Sequence, residues 1–288
     1  MMSTRRRIYT MLFLVAVSFV VNGVVAQAAT LERVRDEGRF RIGFREDTAP
    51  FSFVNANGRP AGYMVELCKQ VAARVKSALA LAEMTVEYVP VTATNRFEAI
   101  REGRIDILCG PTSITLSRRL EVDFSLHTFV DGASVLFRVD GPSSFAELAG
   151  QKVAVRGGTT TAQALKNTIA ALAIDVDVEA VDSHDTGLAR LESGLVAAYF
   201  ADRTILARLM STSTKSESLK LSSRFYTHES YALALPRGDT EFRLLVDDTL
   251  ARLYRDGGIT EIFAHSFGGG ARPSDALVIL YRINALPK

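Results

Sequence analysis

The sequence predicts an α/β protein folded as two lobes of similar design. Three observations lead there. Amphipathic segments alternate with short apolar runs, the same order starts afresh after Asp140-Gly141-Pro142, and polar residues gather just past the apolar runs. The chain has 288 residues, 48% of them hydrophobic, enough to give one large domain or two small ones a proper core.

In order, Thr30–Glu37 reads as a short helix closed by Gly38, and residues 40–44 as a strand. Residues 62–81 form a helix and 85–91 a strand; 95–102 form a helix stopped by Gly103, and 105–109 the next strand. This β-α-β-α-β order implies a mostly parallel sheet with covering helices. In the second pass, 152–155 is a strand, and 160–172 is a helix with Leu165, Ile169 and Leu172 on one face. Residues 175–181 are a strand, 186–193 a helix and 196–200 a strand. Both passes share one unit, an amphipathic helix, a Gly stop (Gly103, Gly194) and a buried strand. A strand at 231–235 and a helix at 240–254 follow, the helix carrying Phe242, Leu245, Val246, Thr249, Leu250 and Leu253 on one stripe and ended by Gly257-Gly258. A last short helix spans 274–284.

The N-terminus reads as a secretory leader. Arg5, Arg6 and Arg7 precede an apolar run over 8–25, and Ala26-Gln27-Ala28 fits the small-x-small cleavage rule. Residues 1–28 are thus expected to be a signal peptide; the alternative is an uncleaved membrane anchor. No Cys follows the run, which argues against a lipid anchor. Without the three leader arginines, 31 basic residues face 32 acidic ones, a net of −1. Near-neutral charge and the lack of a basic run argue against nucleic acid as a partner.

Cys68 falls in a helix and Cys109 near a strand end. An exported protein can join such a pair, but the reading favoured here is two buried free thiols. Two cysteines and four scattered histidines make no metal-ligand spacing, and no cofactor motif is present. No GxSxG elbow or HExxH motif supports catalysis.

In open α/β sheets, ligands sit beyond the carboxyl ends of the strands. Four such ends stand out. Arg45 follows the first strand, with Glu46 and Asp47, and Arg96 follows the second with Asn95. The third end is Gly110-Pro111 followed by Thr112, Ser113, Thr115, Ser117 and Arg118, a hydroxyl-rich loop with a guanidinium suited to a carboxylate. The fourth, Gly157-Gly158-Thr159-Thr160 at a helix start, suits an anion. Arg45, Arg96 and Arg118 in one cleft can satisfy a small diacid; each alone reads as a surface or ion-paired residue. Arg119 is expected to face solvent. Asp202 is a candidate counter-charge for an ammonium or a helix N-cap. His184 is a candidate donor or a structural loop histidine. Met64, Phe97 and Phe124 fit core stripes and are given no site.

These segments together resemble the periplasmic solute-binding proteins of polar amino acid ABC transporters, family 3, and most of all their glutamate/aspartate-binding branch. The stretches carrying the resemblance are RIGFREDTAPFSF, GRPAGYMVELC, NRFEAIREGRIDILCG, RRLEVDFS, GQKVAVRGGTTT, SHDTGLARLESGLVAAYFADRTIL, THESYALALPRGD and RLYRDGGITEIFAHSFG. They run over essentially the whole mature chain.

The resemblance implies a two-lobed type II periplasmic binding protein fold with two crossover hinge strands, 133–137 and 231–235. Lobe 1 is then 29–137 with 235–288, and lobe 2 is 138–234. It implies a monomer that binds an amino acid between lobes, without catalysis, and delivers it to an inner-membrane permease with its ATPase. Arg118 takes the ligand's α-carboxylate, Asp202 the α-ammonium, and Arg45 with Arg96 a side-chain carboxylate. Ser113, Thr159, Thr160 and His184 complete the set. Pro111 departs from the branch's Ser or Gly: it keeps the carbonyl acceptor and loses the amide donor. Ala93 removes a hydroxyl near Arg96. Arg156 either adds a fourth positive charge or pairs with an internal acid. Other readings are an enzyme of the same fold, such as a periplasmic dehydratase using Glu46, Asp47 or His184, and a ligand-sensing subunit that docks on a receptor.

Overall fold

The structure, a computed structural model, describes residues 29–288. The expected signal peptide at 1–28 lies outside the described residues. No helix among the described residues is long and apolar enough to cross a membrane.

The chain begins with α1 (Thr30–Glu37), β1 (Arg39–Phe44) and three short strands, β2 (Asp47–Thr48), β3 (Ser52–Val54) and β4 (Pro60–Ala61). Then come α2 (Tyr63–Ala78), β5 (Thr85–Pro90), α3 (Arg96–Arg101), β6 (Ile107–Cys109), the single turn α4 (Leu116–Arg119) and β7 (Asp123–Asp131). A second series follows: β8 (Ala133–Arg138), β9 (Lys152–Arg156), α5 (Thr160–Leu172), β10 (Asp177–Val181), α6 (His184–Glu192), β11 (Ala198–Asp202), α7 (Arg203–Thr212) and β12 (Leu219–Leu221). The chain closes with β13 (Glu229–Leu235), α8 (Thr240–Arg255), α9 (Gly258–Phe267) and α10 (Asp275–Asn284).

Two five-stranded sheets result, ordered β5-β1-β6-β13-β7 and β10-β9-β11-β8-β12. Each carries a parallel trio, β5-β1-β6 or β10-β9-β11, and an antiparallel margin. The expected mostly parallel sheets are therefore mixed. The chain leaves the first sheet at Gly132, between β7 and β8, and returns between β12 and β13. A Cβ at Gly132 would sit 2.0 Å from the Thr227 carbonyl oxygen, so only glycine lets the outgoing and returning segments lie this close.

Helix α2 presses Met64, Leu67, Cys68, Val71 and Val75 on the first sheet, and α8 adds Phe242, Val246 and Leu250. Phe145, Val153, Leu165 and Phe200 form the second core. Each such side chain contributes roughly 1.5–3 kcal/mol by leaving water. Leu172, expected on the buried stripe of α5, is 40% exposed because the helix ends beside a groove. Gly258 does not end a helix but opens α9, whose Ile259 and Phe263 join the first core.

The cysteines correct the free-thiol expectation. Cys68 on α2 and Cys109 at the end of β6 have Cα atoms 6.3 Å apart and form a disulfide. Packing α2 over β6 brings them within bridging distance, which sequence spacing does not encode.

Candidate functional site

The carboxyl ends of the parallel trios face each other across the two sheets. Between them lies a cavity of about 20 Å³. All nine residues singled out from the sequence line it: Arg45, Arg96, Pro111, Ser113, Arg118, Thr159, Thr160, His184 and Asp202, joined by Thr48 and Ile205. The reason is topological. Strands β1, β6, β9 and β11 all point their carboxyl ends at the gap, and the following loop or helix start carries the polar side chains.

Arg45 is less free than expected. Its Nη2 donates to Asp47 Oδ1 at 2.6 Å, and Arg156 Nε donates to Asp47 Oδ2 at 3.1 Å. Asp47 thus bridges arginines from the two sheets. Burial opposes its ionisation, but Arg45 and Arg156 outweigh that and hold its carboxyl below the ordinary value. Arg156 therefore pairs with an internal acid rather than adding unpaired charge.

Arg96 and Arg118 differ. Neither is ion-paired among the described residues. Arg96, 4% exposed, donates only to the carbonyls of Ala93 and Gly158, and its Nε has no partner. Burial, then the positive charges of Arg118, Arg45 and Arg156, push its guanidinium well below its ordinary value. Arg118 donates to the Ser113 carbonyl at 2.7 Å, and burial lowers it despite Glu229 and Asp202. Both guanidiniums lie over the Phe97 ring, at 4.7 and 5.3 Å from its centroid. Phe97 is thus a platform for the arginines rather than a simple core residue.

The glycine loop also departs from the expected anion cradle. The Gly157 amide is spent on the Val181 carbonyl at 3.2 Å. Gly158 has φ +70°, and a Cβ there would meet Thr94 Cγ2 at 3.0 Å, so its close approach is to the opposite lobe. Thr159 Oγ1 caps α5 by accepting from the Ala162 amide and donates to the Arg156 carbonyl. Thr160 Oγ1 donates to Glu229 Oε2 at 2.8 Å and lies 3.1 Å from Ser113 Oγ.

Asp202, the last residue of β11, precedes α7 without a side-chain cap bond. Its Oδ1 instead accepts from Thr161 at 3.0 Å. Burial, then the Glu229 and Asp131 carboxylates, push it up to about 8. Asp131 itself is raised to about 6, chiefly by burial. His184 is not in a loop. It opens α6, is 4% exposed, and pairs its Nδ1 with Tyr199 Oη at 2.7 Å. Burial holds the imidazole down to about 3, so it stays neutral, and the ring tautomer decides whether Nδ1 or the tyrosine hydroxyl donates in that pair. Arg119 is exposed, as expected.

Three residues beside the cavity escaped the sequence reading as site residues: Glu229, Phe97 and Thr48. A glutamate at the head of an otherwise apolar strand was the available signal for Glu229.

Arg96 and Arg118 are cations without an ion-pair partner on one side of the cavity, and Asp202 and Glu229 are acids without one on the other, among the described residues. Such a site suits a small ligand that carries both signs.

The family described as bacterial extracellular solute-binding proteins, family 3, matches residues 40–269. The glutamate/aspartate import solute-binding protein of Salmonella typhimurium is 27% identical over 255 residues, 88% of this chain and 84% of that protein. The L-glutamate/L-aspartate-binding protein of Pseudomonas aeruginosa is 29% identical over 236 residues, 81% and 78% of the two chains. Among solved structures, an ancestral amino acid-binding protein described as a precursor of cyclohexadienyl dehydratase superposes with a TM-score of 0.72 at 27% identity, over 83% of this chain and 99% of that one.

Proposed function

Because the chain belongs to the bacterial extracellular solute-binding proteins, family 3, we propose that it binds an acidic amino acid of the aspartate or glutamate type for an ABC transporter. The observation that carries the ligand class is the pair Arg96 and Arg118, cavity-lining guanidiniums without an ion-pair partner among the described residues. Buried charge of one sign is costly by several kcal/mol per ion unless a counter-ion meets it. A ligand with two carboxylates and an ammonium pairs both arginines and Asp202 at once.

In this reading Arg118 takes the α-carboxylate and Arg96 the side-chain carboxylate. The Pro111 carbonyl and Asp202 take the ammonium. Arg45, already held by Asp47, adds its remaining donors, and His184 adds a polar wall to the cavity. A cavity of about 20 Å³ holds roughly one water, so ligand enters by separation of the lobe built on the first sheet from the lobe built on the second, which meet where the chain changes sheet at Gly132 and between β12 and β13 rather than at 137 and 235, and the lobes close over it. The protein works as a periplasmic monomer, exported by its leader, and hands the ligand to an inner-membrane permease driven by an ATPase. An enzyme reading has less to stand on. Asp47 is committed to two arginines and His184 stays neutral, so neither exchanges a proton near neutrality.

Thermal-shift titration of the purified protein tests this, since a ligand that binds only the folded state raises the melting temperature. L-aspartate or L-glutamate should raise it at concentrations where L-arginine, L-leucine and succinate do not. A shift with L-arginine alone would refute the ligand class.

A further inference from the structure

The carboxylate of Glu229 heads the strand that returns the chain to the first sheet. It accepts the hydroxyls of Ser113, after β6 on the first sheet, and Thr160, at the start of α5 on the second. Thr227 Oγ1 donates to its other oxygen at 2.9 Å. Glu229 has no ion-pair partner among the described residues, so these hydroxyls are its neutralising shell. It lines a broad outer groove of about 1060 Å³ that shares Ser113 and Thr160 with the closed cavity.

A serine or threonine hydroxyl has one hydrogen to give and two lone pairs to receive with. Ser113 Oγ and Thr160 Oγ1 also lie 3.1 Å from each other. Either both hydrogens go to Glu229, or one hydroxyl donates to the other and the second to Glu229. In every arrangement both hydrogens are used inside the trio. What the two hydroxyls present to the cavity is then lone pairs.

We propose that Glu229 is a specificity-determining residue: by consuming the hydrogens of Ser113 and Thr160, it makes that corner of the cavity accept a ligand ammonium and refuse a carboxylate. The inference rests on the amino-acid reading above and adds how one corner tells an amino acid from the same diacid without its amine. The arginines select for carboxylates on one side; Glu229, acting through the hydroxyls, selects for an ammonium on the other.

The test is a ratio. Isothermal titration of the purified protein with L-aspartate and with succinate, at pH 9 so that Asp202 is ionised with or without the Glu229 carboxylate beside it, gives the preference for the amine. In Glu229→Gln the amide NH₂ can donate to Ser113 or Thr160, which frees a hydroxyl hydrogen for the cavity. L-aspartate affinity should fall roughly 10- to 100-fold, the scale of one hydrogen bond to a charged group, while succinate affinity holds or rises. The ratio then collapses. Thr227→Ala, which loosens Glu229 from outside the trio, should shift the ratio the same way by less and serves if the first variant folds poorly. Equal losses for both ligands would make Glu229 a mere tie between lobes and overturn the proposal. If the parent binds neither ligand, the amino-acid reading fails instead, which is a separate outcome.

Discussion

Binding of the amino acid should expel a proton from Asp202 and so tighten as pH rises. Burial and the neighbouring Glu229 and Asp131 carboxylates push Asp202 up to about 8. At pH 7 its unliganded carboxyl is therefore about nine-tenths protonated. A ligand ammonium pairs only with the ionised form, so binding must displace that proton. The sign is then fixed: affinity rises about tenfold per pH unit below 8 and levels off above it. Between pH 6 and pH 8 the gain is roughly 50-fold. Asp131, raised to about 6, takes up its own proton at the acid end, which relieves Asp202 and flattens the dependence there. His184, held down to about 3, does not titrate in this window. Isothermal titration at pH 6, 7 and 8, each in two buffers of different ionisation enthalpy, reads both affinity and proton release. Close to one proton should leave per ligand at pH 7. A dissociation constant that stays flat from pH 6 to 8, with buffer-independent heats, would refute the reasoning. Asp202→Asn should abolish the pH dependence along with most of the affinity.

Arg118→Ala leaves a bound carboxylate buried without its cation, a change that costs about 2–5 kcal/mol or more; calorimetry should show binding weakened at least roughly 30-fold, with the melting temperature of the free protein little changed. Replacing both Cys68 and Cys109 with Ala opens a cross-link between residues 41 apart, worth about 4 kcal/mol by loop entropy. Urea unfolding should report that loss, and ligand affinity should be preserved, because the bridge lies under α2 and not in the cavity.

Much of the site was legible because α/β topology puts strand ends in one place. Arg45, Arg96, Ser113 and Asp202 each follow or end a short apolar run, and parallel pairing of those runs aims them at one gap. What the side chains do there was less legible, because it depends on partners far away in sequence. Arg45 read as a contact for a ligand carboxylate or as an ion-paired residue, and only the turn into β2, which brings Asp47 to it, shows the pairing. Gly158 looked like a ligand contact, but its neighbour is Ala93–Thr94 across the cleft. Glu229 bonds to hydroxyls 116 and 69 residues away, separations that no local pattern carries. The fold shows the same split. Strand β7 was missed because polar Asp123, Ser125, His127 and Thr128 interrupt its apolar residues, and β13 supplies the pairing that makes it a strand.

The central claim is that one amino acid spans Arg118, Arg96 and Asp202. A crystal structure of the protein grown with L-aspartate or L-glutamate tests it most directly. The account predicts the α-carboxylate on Arg118, the ammonium between Asp202 and the Pro111 carbonyl, and the side-chain carboxylate on Arg96. Ligand bound only in the outer groove beside Phe225 and Tyr226, or with its ammonium turned toward the arginines, would contradict it.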